Sequence, residues 1–157
     1  MKEKEIIIPM LEVSYSELND RQRHLVDMAR EATGRSYAPY SKFRVGAAIE
    51  LDNGQIVTGS NQENAAFPSG TCAERTAAYY AHATYPDARF KTIAIAAVGT
   101  DGHEIPEPVA PCGACRQALL EYETLAHHNV EVILVGSRAI YVLPSVRSTL
   151  PLAFSEF

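Results

Sequence analysis

No apolar run in this sequence of 157 residues approaches the length of a membrane-spanning helix. The opening stretch, MKEKEIIIPMLEVSYSE, has neither the long apolar region nor the small-residue cleavage site of a signal peptide, which predicts a cytoplasmic protein. Basic residues are also scarce, with 14 Lys and Arg against 19 Asp and Glu and a formal charge of −5. Proteins that grip nucleic-acid backbones rely on clustered Lys and Arg to displace counterions, so small substrates fit this chain better than polymers. Nothing in the 9 Gly and 9 Pro suggests low complexity. Cysteine is rarer still, at three. A chain of this length buries roughly 68–70% of its unfolded surface, so its core needs no disulfides, and a single domain over residues 1–157 is expected.

What is present reads as alternating elements. Leu25, Met28, Ala29 and Ala32 recur at helical spacing and predict an amphipathic helix over residues 19–33, stopped at Gly34. After a loop around Pro39, RVGAAIELDNGQIVTGSN reads as two strands about the hairpin signal Asn53-Gly54. A helix over residues 72–83, a strand over 91–99, a proline-rich loop and a second cysteine-led helix over 112–126 follow. The runs VEVILVG and AIYVLP read as buried strands. Five strands and three main helices in this order predict an α/β protein, a three-layer α/β/α sandwich with a five-stranded mixed sheet. Residues 1–15 form an N-terminal arm outside the pattern, suited to an edge strand or an interface.

The three cysteines are Cys72, Cys112 and Cys115, and an odd count with a Cys-x-x-Cys pair points to metal or redox chemistry. The spacing of Cys112 and Cys115 puts both sulfurs on one helical face. Cys72 opens the other helix, where first-turn side chains lean back toward the N-terminus, so Cys72 and Glu74 both reach a point beyond the helix end. Three thiolates favour zinc and leave a fourth tetrahedral position for water, which is the mark of a catalytic site. A closed structural site would need a fourth ligand. His82 lies ten residues past Cys72, about 15 Å along a helix, and His127 and His128 lie farther still from Cys115. His24 and His103 are not excluded by spacing. A redox pair at Cys112 and Cys115 would leave Cys72 and Glu74 unexplained. HEIPE, at residues 103–107, lacks the second histidine of a metalloprotease helix and carries Pro106 inside it. Arg75 fits two readings equally, an exposed helix arginine or a donor to thiolate sulfur.

Taken together, YAPYSKFRVGAA, SNQENAAF, TCAERTA, PCGACRQ and LPLAF resemble the cytidine deaminases, in their short form with three cysteine ligands. The likeness runs from about Tyr37 to Phe154. It implies one Zn2+ per subunit on Cys72, Cys112 and Cys115, with Glu74 as the catalytic proton carrier. The reaction implied is hydrolytic deamination of cytidine and 2′-deoxycytidine in pyrimidine salvage. Arg75 matches the arginine that offsets thiolate charge, and Gln117 fits either support of the ligand cysteines or a helix-surface or packing role. Phe43 would stack on the base, Asn61 and Glu63 would bind the sugar, and Ala73 and Phe67 would complete the nucleoside site. Phe154 resembles an aromatic that reaches a neighbouring subunit's site, implying a homotetramer with shared sites. Gln62 stands where Val or Ile is usual, and Phe67 where Tyr is common. Blasticidin S deaminase shares the cysteine skeleton, but Asn61 and Glu63 favour a nucleoside. Polynucleotide deaminases typically carry His where Cys72 sits.

Overall fold

The computed structural model describes residues 1–155. Its elements are β1 (Leu11–Val13), α1 (Asp20–Ala32), β2 (Arg44–Leu51), β3 (Ile56–Ser60), α2 (Ala73–Thr84), β4 (Phe90–Val98), α3 (Gly113–Ala126), β5 (Glu131–Val135) and β6 (Ile140–Leu143). They form one mixed sheet of order β1-β6-β5-β4-β2-β3. Only the β4 and β5 pairing is parallel; β1 with β6, β5 with β6, β2 with β3 and β2 with β4 are antiparallel. The sheet therefore has six strands, one more than expected. The extra one is β1, three residues of the N-terminal arm whose Leu11 and Val13 lie opposite Val142 and Ile140. Three residues carry too little alternation to announce a strand; the edge that β6 offers is what makes them one.

The three layers follow from strands buried on both faces. Ala47, Ile49, Ile93, Ile95, Val132 and Leu134 pack under α2 and α3. Their neighbours Ala48, Ala94, Ala96, Ile133 and Val135 point the other way, onto Leu25, Val26 and Ala29 of α1. Helix α1 starts in a capping box: Asn19 Oδ1 accepts from the Gln22 N–H at 2.9 Å, and Gln22 Oε1 accepts from the Asn19 N–H at 3.2 Å. It ends at Ala32, two residues before the expected stop, and Gly34 lies in the 3-10 turn Thr33–Arg35 that follows. Helix α2 lies so close to β3 that a Cβ on Gly59 would stand 2.5 Å from the Ala77 nitrogen and 2.7 Å from the Ala73 carbonyl oxygen. Glycine at this position is a condition of the close approach that sets α2 on the sheet.

Strand direction places the site. Because β3 and β4 both run antiparallel to β2, and β4 runs parallel to β5, these three strands share one direction. Helix α2 follows β3 and α3 follows β4, so both helices start at the same edge of the sheet, beyond the carboxyl ends of those strands. Their N-termini converge there.

The far end of α3 is anchored by Glu123, whose buried carboxylate accepts from the N–H groups of Val130 at 2.9 Å, Val146 at 2.7 Å and Arg147 at 3.0 Å. In Glu123→Ala the Val130 and Val146 donors lose their partner inside the protein, at about 1–3 kcal/mol each. With a loss near 3 kcal/mol, the thermal midpoint is expected to fall by roughly 6–12 °C at this chain length, as a melting curve against wild type would show.

Candidate active site

Cys72 and Cys112 are the N-caps of α2 and α3, each with extended backbone angles and neither making a side-chain capping bond. The helices thus begin one residue later than the sequence suggested, and Pro111 lies just before the cap. An N-cap side chain lies over the third helical residue. That geometry brings Cys112 beside Cys115 and, in the other helix, Cys72 beside Arg75, whose Nη2 lies 3.7 Å from the Cys72 sulfur. The two caps face each other, with Cys72 Sγ and Cys112 Sγ 3.8 Å apart. All three sulfurs lie within 4.8 Å of one another, and no histidine belongs to this group among the described residues.

This arrangement fits zinc. A tetrahedral ion with Zn–S bonds of about 2.3 Å holds its sulfurs about 3.8 Å apart, which is the separation of the two N-caps. Both helix N-termini present partial positive charge to the sulfurs, a contribution of about 0.3–1 kcal/mol each. Hydrogen bonding from Cys115 lowers the Cys72 thiol to about 5, and Arg75 and Cys112 add to the effect against the cost of burial. Cys115 is pushed upward by its bond to Cys72 and by burial. The Arg75 guanidinium is held more firmly protonated, first by Cys72. Of its two readings, Arg75 is not an exposed helix arginine: its Nη2 reaches the Cys72 sulfur. Its Nε is buried without a hydrogen-bond partner among the described residues.

Glu74 is the second residue of α2 and only 5% exposed. Burial raises its carboxyl pKa above the ordinary value, and the Cys72 charge adds to this, opposed first by its own backbone N–H and then by Cys115 and Arg75. A carboxyl whose burial favours its neutral form is suited to take up a proton and give it back.

Glu74, Cys72 and Cys112 open onto a cleft of about 550 Å³. Phe43, Val45, Ile95 and Val109 supply its apolar walls, with Ala73 at the helix start, and Asn61, Glu63 and Phe67 also line it. The segment carrying Asn61 and Glu63 is locked to the helix entry: the Gln62 and Thr71 backbones exchange two hydrogen bonds of 2.9 Å, immediately before Cys72. The Glu63 carboxylate accepts from the Tyr40 N–H at 2.9 Å, from the Ser41 N–H at 3.2 Å and from the Ser41 hydroxyl. Those bonds, the Ser41 hydroxyl first, hold its pKa below the ordinary carboxylate value. Asn61 is more committed than its spacing suggested. Its Oδ1 accepts from the Val45 N–H at 2.7 Å and the Ser36 hydroxyl at 2.5 Å, and its Nδ2 donates to the Phe43 carbonyl at 3.0 Å. One amide N–H remains for a ligand.

Phe67 is on the rim but 83% exposed, and Phe154 does not line this cleft. Gln117 Nε2 donates to the Phe154 carbonyl at 2.7 Å, so its amide serves the C-terminal segment. The roles of Ser36, Tyr40 and Ser41 in shaping the Asn61 and Glu63 rim were not visible in the sequence. The turn around Pro39 marked a loop there, but not its partners twenty residues on.

A three-cysteine metal-binding group at two helix N-termini, a buried carboxyl and an apolar cleft together define a zinc-site α/β enzyme. The family described as "Cytidine and deoxycytidylate deaminase zinc-binding region" matches residues 19–129. The chain belongs to that family, and it is a deaminase hydrolase. It is 43% identical over 102 residues to a cytidine deaminase of Halalkalibacterium halodurans, covering 65% of this chain and 71% of the relative. With a cytidine deaminase of Sporosarcina psychrophila the identity is 38% over 132 residues, covering 84% and 90%. The crystal structure of cytidine deaminase from Burkholderia pseudomallei superimposes with a TM-score of 0.71 at 36% identity, over 87% of this chain and all of that one. No helix among the described residues is long and apolar enough to cross a membrane.

Proposed function

We propose that this chain hydrolyses cytidine and 2′-deoxycytidine to the corresponding uridine nucleoside and ammonia, with one Zn2+ on Cys72, Cys112 and Cys115. The observation that carries the reading is a buried Glu74 beside three converging cysteine sulfurs, at the floor of a cleft large enough for a nucleoside. Zinc, when bound, would act as a Lewis acid that lets water give up a proton near neutral pH and so become a nucleophile. Glu74 takes a proton from the attacking water and delivers it to ring N3 as the C4–O bond forms. It then carries the second proton of that water to the amine as the C4–N bond breaks, so ammonia leaves and the carbonyl remains. Arg75 offsets the negative charge of three thiolates, keeping the water acidic enough to react.

The rim positions the nucleoside. Phe43 presents its ring to the base, while the Glu63 carboxylate and the remaining Asn61 N–H face the sugar hydroxyls; Ala73 and Phe67 close the site. Phe154 is assigned to a neighbouring copy in a homotetramer, and the setting is cytoplasmic pyrimidine salvage. The curated relatives named cytidine deaminase support the substrate. Incubating the purified protein with cytidine or 2′-deoxycytidine, while following the cytosine ultraviolet band and released ammonia, tests the reading. Equimolar ammonia and uridine product are expected; an unchanged spectrum with both nucleosides would sink it.

A further inference from the structure

Cys112 is exposed, whereas Cys115 is buried and Cys72 half-buried. Packing fixes the other two sulfurs, so something else must hold the third. The side chain of Arg116 meets this need. Its Nε donates to the Pro111 carbonyl at 2.7 Å, and its backbone N–H donates to the Cys112 carbonyl at 3.0 Å. The backbone bond is the first of α3, common to any residue here; the side-chain bond to the peptide unit entering Cys112 is what arginine adds. The same guanidinium reaches further: Nη1 donates to the Thr149 carbonyl at 2.9 Å, in the 3-10 turn Arg147–Thr149 after β6. Next along α3, Gln117 holds the Phe154 carbonyl.

We infer that Arg116 is a positioning residue for Cys112. Through Thr149 it makes residues 147–154 part of the unit that presents the cysteine, so zinc binding and docking of that segment favour each other. A merely structural arginine would satisfy the same carbonyls, but zinc would then leave the segment unchanged. Coupling must run both ways: loosening the segment weakens the metal site, and removing the metal loosens the segment. The inference rests on the three cysteines holding zinc, as proposed above.

The test needs no turnover assay. Zinc-loaded wild type, Arg116→Ala and Arg116→Lys are mixed with excess chromogenic chelator to read zinc release. Amide hydrogen exchange across residues 147–154 is measured in wild type with and without zinc. Loss of the fork is expected to speed zinc release by roughly 10–100-fold, the usual range for groups that orient metal ligands. Lysine, able to reach one carbonyl but not fork between two, should fall in between. Exchange across 147–154 should rise when zinc is stripped from wild type. Release from folded Arg116→Ala at the wild-type rate overturns the inference. If that variant does not fold, the wild-type comparison decides, and identical exchange with and without zinc overturns it. A wild type that takes up no zinc contradicts the metal reading itself and removes the basis of this one.

Discussion

Glu74→Gln is expected to keep its zinc and lose its turnover, by roughly 10²–10⁴-fold or more, the range that proton transfer by a positioned side chain supplies. The amide matches the carboxyl in size and cannot take a proton from water. Folding should not suffer, because burial already penalises the charged form of Glu74, and a neutral group in its place avoids that penalty. Zinc content by elemental analysis, a melting curve and the ammonia assay together separate loss of chemistry from loss of structure. Full turnover, or a variant stripped of zinc, would contradict the role given to Glu74.

Cys115→Ser should have the other large effect, and a different signature. Cys115 is the fully buried sulfur of the three and lies one helical turn from Cys112. A serine hydroxyl is a poor zinc ligand and leaves two thiolates, too few for a stable site. Turnover should drop to background along with zinc content. The variant should also lose the stabilisation that zinc gives: wild type gains about 2.7 kcal/mol when free zinc is a hundredfold above its dissociation constant, and the variant gains nothing. Thermal melts with and without added zinc read this directly. A zinc-dependent rise in the variant equal to that of wild type would exclude Cys115 as a ligand.

The parts of this molecule that could be read ahead of the structure are those written in short periods. The hairpin signal Asn53-Gly54 placed two strands, found at Arg44–Leu51 and Ile56–Ser60; the strand expected over 91–99 is Phe90–Val98, and both cysteine-led helices lie within a residue of their expected bounds. The metal-binding group was legible because two motifs forty residues apart each carry their own geometry, an N-cap and a residue one turn along. What stayed hidden depends on partners distant in sequence. The N-terminal arm was suited to an edge strand or an interface, but that Leu11–Val13 is the part that pairs is set by β6, far along the chain. Asn61 looked like a free sugar contact, yet two of its bonds lock residues 43 and 45 in place. For Gln117, spacing left support of the cysteines and a packing role both open, and gave no sign of its bond to a carbonyl 37 positions away. Spacing within a helix says which side chains share a face; it does not say which distant backbone will meet them.

The shared direction of β3, β4 and β5 has a consequence for how the chain comes together. Cys72 and Cys112 are separated by 40 positions, and their sulfurs meet only when both helices have docked on the completed sheet. A nascent or partly unfolded chain can offer Cys112 and Cys115 from one helix, but not the third sulfur. Bringing that one in closes a long loop, whose entropy cost the sheet has already met by the time the native state forms. The complete set of three sulfurs is therefore a property of the finished fold, so that any ion bound by all three would favour the folded chain over its partly assembled forms.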